Sequence, residues 1–479
     1  MKHVLRILIP FILFLPFAMA DDLPELGDSS ALALSPLDEK RIADQIMRDV
    51  MSSDEVVSDP EINDYIQNLG VKLAGNSPDK LQHFDFFVVK DNTINAFAMP
   101  GGVVGVHTGL ILAASNEAEL ASVLGHEIGH VVQHHMARML AQQKNDSIIS
   151  LASMALSILA ARANTQLATA AMTTSTASSI QKQLDYSREN EREADRVGIQ
   201  ILENSGYDTN AMASFFETLQ KGTRFSEGAA PSFLRTHPLT SERIADVKDR
   251  ISKSANFHMV VYAPDFDYVR AKLISGMGTP RQAIDVFQNS LQEKKYYNEA
   301  AQHYGLALAL MRNREWEGVN KQLAWLRSNA NWHPMFATLA ANLEVAKDNP
   351  QQAAKQYLAG LATFPDYRAL IYGYAEHLIN VRQPTLMINF VKEKQTVYQD
   401  DPYLYELLSK AYALLGKNLL SHQALAESYQ RSYNLEKALE QMDIAVRSGD
   451  GDFYQQSIVE ARWKQLSQQV EDIKKNKLK

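Results

Sequence analysis

The chain has 479 residues, of which 46% are apolar and 22% charged, so it is a globular protein with room for two or three domains. Its 56 acidic and 48 basic residues give a formal net charge of -8, and this balance excludes a nucleic-acid partner. It has no cysteine, which excludes disulfide bonds and a lipid-modified cysteine.

The first twenty residues are typical of a secretory signal peptide. Lys2 and Arg6 flank an apolar run from Ile7 to Phe17, and Ala18-Met19-Ala20 is the small-x-small pattern after which signal peptidase cleaves. The run is shorter than the ~20 residues of a membrane-spanning helix, so a retained anchor is the weaker alternative. We expect export, with cleavage after Ala20.

Two helices and a small sheet are predicted next. One helix runs from about Ser35 to Met51, and a second begins at Asp59-Pro60, where the aspartate caps the helix and the proline takes its first position. Phe84 to Val89 and Val103 to His107 are predicted strands, joined through Asp91-Asn92 and a Met99-to-Gly102 turn. They form a sheet just before the next helix.

That next helix carries the pattern H-E-x-x-H, made of His126, Glu127 and His130. Residues four apart lie on one helix face, so both imidazoles reach a single metal ion with the glutamate beside them. Asn116 and Glu119 are a predicted capping box at its start. Apolar residues at helical spacing predict that the helix is buried, where unpaired polar groups are costly unless they bind something.

The segment from Ser147 to Ala161 is almost entirely apolar or small, and Ala163 to Ser179 is rich in alanine, threonine and serine. Fifteen such residues are too few to span a membrane, so a buried helix or a flap over a cleft is expected. Contact of this hairpin with a membrane surface is the alternative.

A catalytic zinc needs a third protein ligand beyond the two histidines. His134 continues the row of histidines but lies about 12 Å from His126 along a helix, too far to share one ion. Gln133 and Met136 stand where a metzincin extension requires glycine and histidine. His134 and its neighbour His135 are therefore expected to lie around the site or on the surface.

A helix that resumes near Gln181 offers the better candidate. It carries Glu191 and Asp195 on one face, four residues apart. Glu191 suits the role of third ligand, and Asp195 is placed to accept the ring N–H of a liganding histidine. Solvated helix charges are the alternative interpretation.

Thr236-His237-Pro238 precedes a helix that begins at Thr240 or Ser241 and carries Arg243. His237 is held in a loop by the proline that follows it. Two roles stay open for His237: it stabilises the oxyanion of a tetrahedral intermediate, or it takes the fourth metal position and keeps the enzyme latent.

Beyond about Tyr262 the chain changes to predicted helix pairs. When units are opened at Pro264, Ala300, Pro334, Arg368 and Pro402, the spacings are those of tetratricopeptide repeats. The eighth residues of these units are Ala271, Ala307, Ala341, Ala375 and Ser409. A further predicted helix pair, which contains Tyr429, Ala438, Met442 and Ala445, overlaps these units and departs from their regular spacing. Such a solenoid usually binds peptide or protein, and a plain helical domain is the alternative.

Four separated motifs resemble the M48 family of zinc metallopeptidases over Leu37 to Ser252. They are His126-Glu127-x-x-His130, Asn95-Ala-Phe-Ala-Met-Pro-Gly-Gly102, Ser187-Arg188-x-x-Glu191-x-x-Ala194-Asp195 and Thr236-His237-Pro238. The resemblance implies a gluzincin-type fold and one Zn²⁺ per chain. It also implies that Glu127 is the catalytic base, and that the strands bearing Asn95, Phe97 and Gly101 align an extended substrate.

We therefore expect a mainly α protein with three parts: a signal peptide over 1–20, a metallopeptidase domain with a small sheet over 21–255, and a repeat solenoid over 262–479. With the leader and the repeats, the resemblance implies a Gram-negative periplasm and quality control of outer-membrane β-barrel proteins. The implied partners are the barrel assembly machinery and unfolded outer-membrane proteins. The alternative is a chaperone-like assembly factor in which proteolysis is secondary and normally latent.

Overall fold

The computed structural model describes residues 35–80, 82–136, 138, 188–225, 232–253 and 263–477. The predicted signal peptide, the apolar segment 147–180 and the start of the helix near 181 lie outside the described residues. None of the helices in the described part of the chain combines the length and the apolar content that crossing a bilayer requires.

Two capped helices open the described chain, as predicted. α1 spans Pro36–Met51 and α2 spans Pro60–Ala74, each with proline in its first turn. The Asp59 carboxylate accepts the backbone N–H groups of Glu61 and Ile62. The proline has no N–H to leave unpaired, and the aspartate satisfies two of the free donors at the helix start.

The sheet has one strand more than the sequence predicted. β1 (Asp85–Val89) lies parallel to β3 (Val103–His107), and β2 (Ala96–Met99) pairs antiparallel with β3, so the strand order is β1-β3-β2. Gly101 and Gly102 have positive φ angles of 78° and 84°, the left-handed backbone that glycine adopts without strain. This turn folds β2 back onto β3 and makes β2 an edge strand.

Among the residues that the structure describes, six further helices belong to the first part. They are α3 (Thr108–Ala113), α4 (Glu117–Val132), α5 (Arg188–Asn204), α6 (Asn210–Phe225), α7 (Ser232–Thr236) and α8 (Ser241–Lys253). Asn116 caps α4 through the N–H of Glu119, as predicted. The predicted capping box is displaced by one residue, because the Glu119 carboxylate accepts the N–H of Ser115 rather than that of Asn116. The Asn116 N–H therefore takes no part in the cap.

Glycines allow α4 and α5 to pack closely along the buried face of α4. A Cβ atom added to Gly129 would lie 2.9 Å from the carbonyl oxygen of Ala194, and one added to Gly125 would lie 3.3 Å from that of Gly198. These separations leave no room for a side chain at Gly129 without moving the backbone. The acidic start of α5 is thereby brought against the histidines of α4.

The second part consists of helix pairs, as predicted for a helical repeat region. The first helices of the five pairs are α9 (Asp265–Gly276), α11 (Glu299–Arg312), α13 (Pro334–Ala346), α15 (Arg368–Asn380) and α17 (Pro402–Leu414). Their partners are α10 (Pro280–Glu293), α12 (Trp316–Asn329), α14 (Pro350–Thr363), α16 (Pro384–Lys394) and α18 (Asn418–Arg431). The eighth positions named above are all buried. The tetratricopeptide identity of the pairs stays a prediction.

The predicted departure from the frame also appears in the structure. After α18 the chain forms α19 (Leu435–Arg447) and then α20 (Phe453–Lys477), which at 25 residues is much longer than the helices of the regular pairs. Ala438, Met442 and Ala445 are buried in α19. They pack with residues of α18 and α20 in a separate small cluster.

The repeats and the first part share one hydrophobic core. Buried apolar residues from Val57 in the first part to Leu343 in α13 form a continuous cluster. At the other end of the solenoid, Tyr433 in the turn between α18 and α19 packs against the cluster that contains Ile42 of α1. Within the described residues, the solenoid therefore contacts the first part at more than one place.

Ion pairs cross the same junction. The ammonium of Lys272 in α9 lies 2.5 Å from carboxylate oxygens of Asp59 and Glu61 at the start of α2. Arg368 of α15 pairs with Asp64 of α2 at 3.0 Å. Glu61 is buried, so Lys272 neutralises a charge that would otherwise be costly in this place.

Candidate metal centre

Two imidazoles on α4 converge on one point. His126 and His130 are one helical turn apart, and their Nε2 atoms lie 3.0 Å from each other. Both side chains are buried. Two ring nitrogens that face each other at this distance form the half of a metal site that the H-E-x-x-H spacing predicts.

Glu191 enters the site from the first turn of α5. Its Oε1 lies 3.4 Å from Nε2 of His130, and its Oε2 lies 3.6 Å from Nε2 of His126. His237, in the loop after α7, adds Nδ1 at 3.3 Å from His126 and 3.0 Å from Glu191. The structure thus brings together the four candidate ligands that the sequence favoured, His126, His130, Glu191 and His237.

The geometry of the four side chains fits zinc. Their ligand atoms all lie within 4.8 Å of one another, and all four side chains are buried. A tetrahedral zinc ion with bonds of about 2.0–2.1 Å separates its ligands by about 3.3–3.4 Å. The contacts of His126, His130 and Glu191, between 3.0 and 3.6 Å, bracket that value. Three nitrogens and one carboxylate are also the donor types that zinc prefers.

Asp195 lies one turn beyond Glu191 and holds His126. Its Oδ1 is 2.9 Å from Nδ1 of His126, the contact that the sequence analysis expected. Burial alone would raise the pKa of Asp195, but hydrogen bonds from His126 and Arg243 lower that pKa below its ordinary value. Asp195 is therefore a carboxylate, and its contact directs Nε2 of His126 towards the other ligands.

Arg243 is a site residue whose role the sequence analysis did not recognise. Its guanidinium donates to both oxygens of Asp195 at 2.8 Å, and Nη1 lies 2.6 Å from Oε2 of Glu191 and donates to the carbonyl of Pro238. It thus ties α5 to the loop that carries His237. The one sequence signal was its position four residues before Val247, on the apolar face of α8.

Glu127 points into the same space. Both of its carboxylate oxygens are buried, with the backbone N–H of Ala98 close by and Nε2 of His237 3.5 Å away. Burial raises the pKa of Glu127, which the nearby His237 and His126 partly offset. A buried carboxylate of raised basicity suits a residue that takes up a proton.

The two histidines that follow α4 lie in different surroundings. The helix ends at Val132, and His134 adopts a left-handed φ of 49°, with its side chain partly exposed and 3.5 Å from Glu39. His135 is fully buried, and its Nδ1 lies 2.8 Å from Nδ1 of His130. Burial lowers the pKa of His135 to about 4, so its ring is neutral.

The three residues expected to align substrate lie around β2. Asn95 is buried, and its carbonyl accepts the N–H of His107, so it extends the pairing with β3. The ring of Phe97 packs over the sheet at 5.9 Å from Phe87, so its side chain belongs to the core face. Gly101 lines a cleft that reaches His130. Ala98 and Met99 of the edge strand line this cleft, and Phe97 does not.

The fold and this centre together define a zinc metalloendopeptidase of the H-E-x-x-H class with a distant glutamate. Comparison with known families agrees, since Peptidase family M48 matches residues 60–251. The chain belongs to this family, and its cofactor is one zinc ion.

Relatives also match well beyond that domain. The chain is 30% identical over 459 residues to the Beta-barrel assembly-enhancing protease of Shigella flexneri, a match that covers 95% of this chain and 93% of that protein. It is 32% identical to the Putative beta-barrel assembly-enhancing protease of Vibrio cholerae, over 88% of this chain and 87% of that one. The Mitochondrial metalloendopeptidase OMA1 of Arabidopsis thaliana is 28% identical over 46% of this chain.

Proposed function

We propose that the chain is a periplasmic zinc endopeptidase that cleaves misfolded or stalled outer-membrane β-barrel proteins. His126, His130 and Glu191 hold the zinc. The observation that carries this proposal is the convergence of their buried ligand atoms on one point. The substrate class rests on the names of the relatives, which match along nearly the whole chain. The signal peptide expected over residues 1–20 is consistent with the compartment.

The remaining residues of the centre supply proton transfer and alignment. Zinc in this position supplies a Lewis acid that polarises the scissile carbonyl and acidifies a water. Glu127 takes the proton of the attacking water and delivers it to the leaving amine, which its raised pKa favours. Asp195 and Arg243 keep His126 and Glu191 in place during both steps.

The edge of β2 that pairs with no other described strand aligns the substrate. β3 pairs with one edge of β2, and Ala98, Met99 and Pro100 line a cleft that His130 also lines. An extended peptide that adds to this edge brings its main-chain carbonyls to the centre, with hydrogen bonds that do not depend on side chains. Such binding suits unfolded proteins of varied sequence.

Replacement of Glu127 by glutamine tests the catalytic role. Glu127→Gln keeps the size of the side chain but removes the base, so cleavage of an unfolded protein should fall at least about a hundredfold while zinc stays bound. Glu189→Gln, an exposed glutamate on α5, is the matched control and should retain full activity. Full proteolysis in Glu127→Gln would refute the assignment.

His237 keeps the enzyme latent in this proposal. Its Nδ1 lies within the cluster of candidate ligand atoms, 3.3 Å from Nε2 of His126, and would take the fourth zinc position that a catalytic water needs. Peptidase activity should therefore rise in His237→Ala. If activity falls instead while zinc content is unchanged, His237 stabilises the oxyanion and is not a latch.

In this proposal the solenoid over 262–479 recruits the β-barrel assembly machinery and its unfolded clients. The proposal also includes the division of the chain between residues 255 and 262 into a peptidase domain and this solenoid. A second function, an assembly factor with secondary proteolysis, is favoured by the extent of the helical repeats and by the relatives' names. The Glu127→Gln variant separates the two in cells. Preserved barrel assembly in that variant supports the second function, and lost assembly supports the first.

A further inference from the structure

A second imidazole lies directly behind the metal ligand His130. α4 ends at Val132, and the left-handed turn at His134 returns the chain so that His135 is fully buried beneath His130. The two rings are 4.9 Å apart between centroids and inclined at 74°, with their Nδ1 atoms 2.8 Å apart. This is hydrogen-bond distance, so one of the two nitrogens donates and the other accepts.

The direction of that hydrogen bond follows from the site. Nε2 of His130 faces the other ligands, so it must be free of a proton to bind a cation, and the proton of the neutral ring is then on Nδ1. His130 therefore donates from Nδ1, and Nδ1 of His135 accepts. The proton of the neutral His135 ring is in turn on Nε2, which lies 3.0 Å from Oε2 of Glu193.

An ion pair completes this chain of contacts. Arg138 donates to the same oxygen of Glu193 at 2.8 Å, so the acceptor of His135 is a carboxylate held in place by a cation. His126 has a similar arrangement, in which Asp195 is held by Arg243. The two zinc-binding histidines differ in that a neutral imidazole separates His130 from its carboxylate.

We propose that His135 is a positioning residue that fixes the tautomer and the ring orientation of His130, with Glu193 and Arg138 fixing His135 in turn. This inference rests on the proposed function in one respect, namely that His130 is a zinc ligand. Without His135, the Nδ1 proton of His130 would lose a buried acceptor, and the ring would be free to rotate away from the other ligands.

Zinc affinity of three variants tests this role, measured by competition with a chelator of known affinity. His135→Leu removes the acceptor and should weaken zinc binding about 10–100-fold. His135→Asn places an amide oxygen where Nδ1 stood and should restore most of that affinity. Glu193→Gln keeps an acceptor for His135 but loses the charge, so a smaller loss is expected. The Co²⁺-substituted proteins should show a changed visible spectrum for His135→Leu alone.

His134→Asn is the matched control, because this neighbour is partly exposed and asparagine tolerates its left-handed φ. It should bind zinc like the wild type. Wild-type affinity in His135→Leu, or equal losses in His135→Leu and His135→Asn, would overturn the inference. If His135→Leu does not fold without zinc, the zinc affinities of His135→Asn and Glu193→Gln, compared with that of the wild type, test the role of His135 instead. A wild-type protein without stoichiometric zinc would instead overturn the proposed function.

Discussion

Arg243 joins three elements of the metal centre, and its removal should destabilise the protein strongly. In Arg243→Leu, Asp195 loses two hydrogen bonds of 2.8 Å, Glu191 loses an ion pair of 2.6 Å, and the Pro238 carbonyl loses its donor. The guanidinium is only 2% exposed, so water cannot replace these contacts without opening the site. Two buried carboxylates would be left without their cation.

The size of the effect follows from that burial. Removing one partner of a buried ion pair typically costs about 3–5 kcal/mol, because the remaining charge stays desolvated. Each hydrogen bond to a charged group contributes about 1.5–3 kcal/mol, but contributions within one network do not add. We therefore expect the free energy of unfolding of the zinc-free Arg243→Leu protein to fall by about 3–5 kcal/mol. Arg243→Lys keeps the charge but cannot donate to both oxygens of Asp195 with a planar guanidinium, so its free energy of unfolding should lie between those of the wild type and Arg243→Leu.

The assay must report on the first part of the chain. All four tryptophans lie in the repeats, so urea unfolding is better followed by far-UV circular dichroism, with amide hydrogen exchange in α5 and α8 to locate the change. Arg250→Leu is the control on the same helix. Its ion pair with Asp246 is about one-third exposed, far more than the contacts of Arg243, so a loss of only about 1 kcal/mol is expected. Equal losses in the two leucine variants would refute the reasoning.

Three further predictions concern other parts of the fold. Burial lowers the pKa of His107 to about 4, so on acidification the unfolded state takes up a proton on this ring before the folded state does. Between pH 7 and 4.5 this difference should lower the free energy of unfolding by about 2.5 kcal/mol. The decrease should be absent in His107→Gln, which a comparison of urea midpoints at the two pH values would show. Lys272→Met leaves Glu61 buried without its cation and should lower the free energy of unfolding by about 3–5 kcal/mol, whereas Lys272→Arg should recover part of it. Gly129→Ala places a methyl 2.9 Å from the backbone of α5 and should weaken zinc binding, whereas Gly276→Ala, with open space around it, should not.

Much of the metal centre could be predicted because its chemistry is local. The spacing of His126 and His130 is a property of one helix, and Glu191 and Asp195 share a face of another. Glu191 was predicted as the third ligand because a catalytic zinc site needs a further protein ligand beyond the two histidines. The structure brings its carboxylate within reach of both imidazoles.

Other parts of the site depend on contacts between distant residues or on unusual backbone. The strand β2 has only four residues and exists because the Gly101-Gly102 turn pairs it with β3. His134 and His135 are adjacent in sequence, and only the left-handed turn at His134, rare for a residue with a side chain, decides which is buried. The role of Arg243 depends on packing between α8 and α5, which periodicity does not reveal.

The junction between Lys272 and the start of α2 joins residues 211 apart in the sequence. α9 and α11 supply side chains to the interior that α2 and α4 also line, so the solenoid and the first part are packed on one core. A deletion that removes the solenoid would therefore uncover apolar residues of this core as well as remove the repeats, and a loss of activity would reflect both changes.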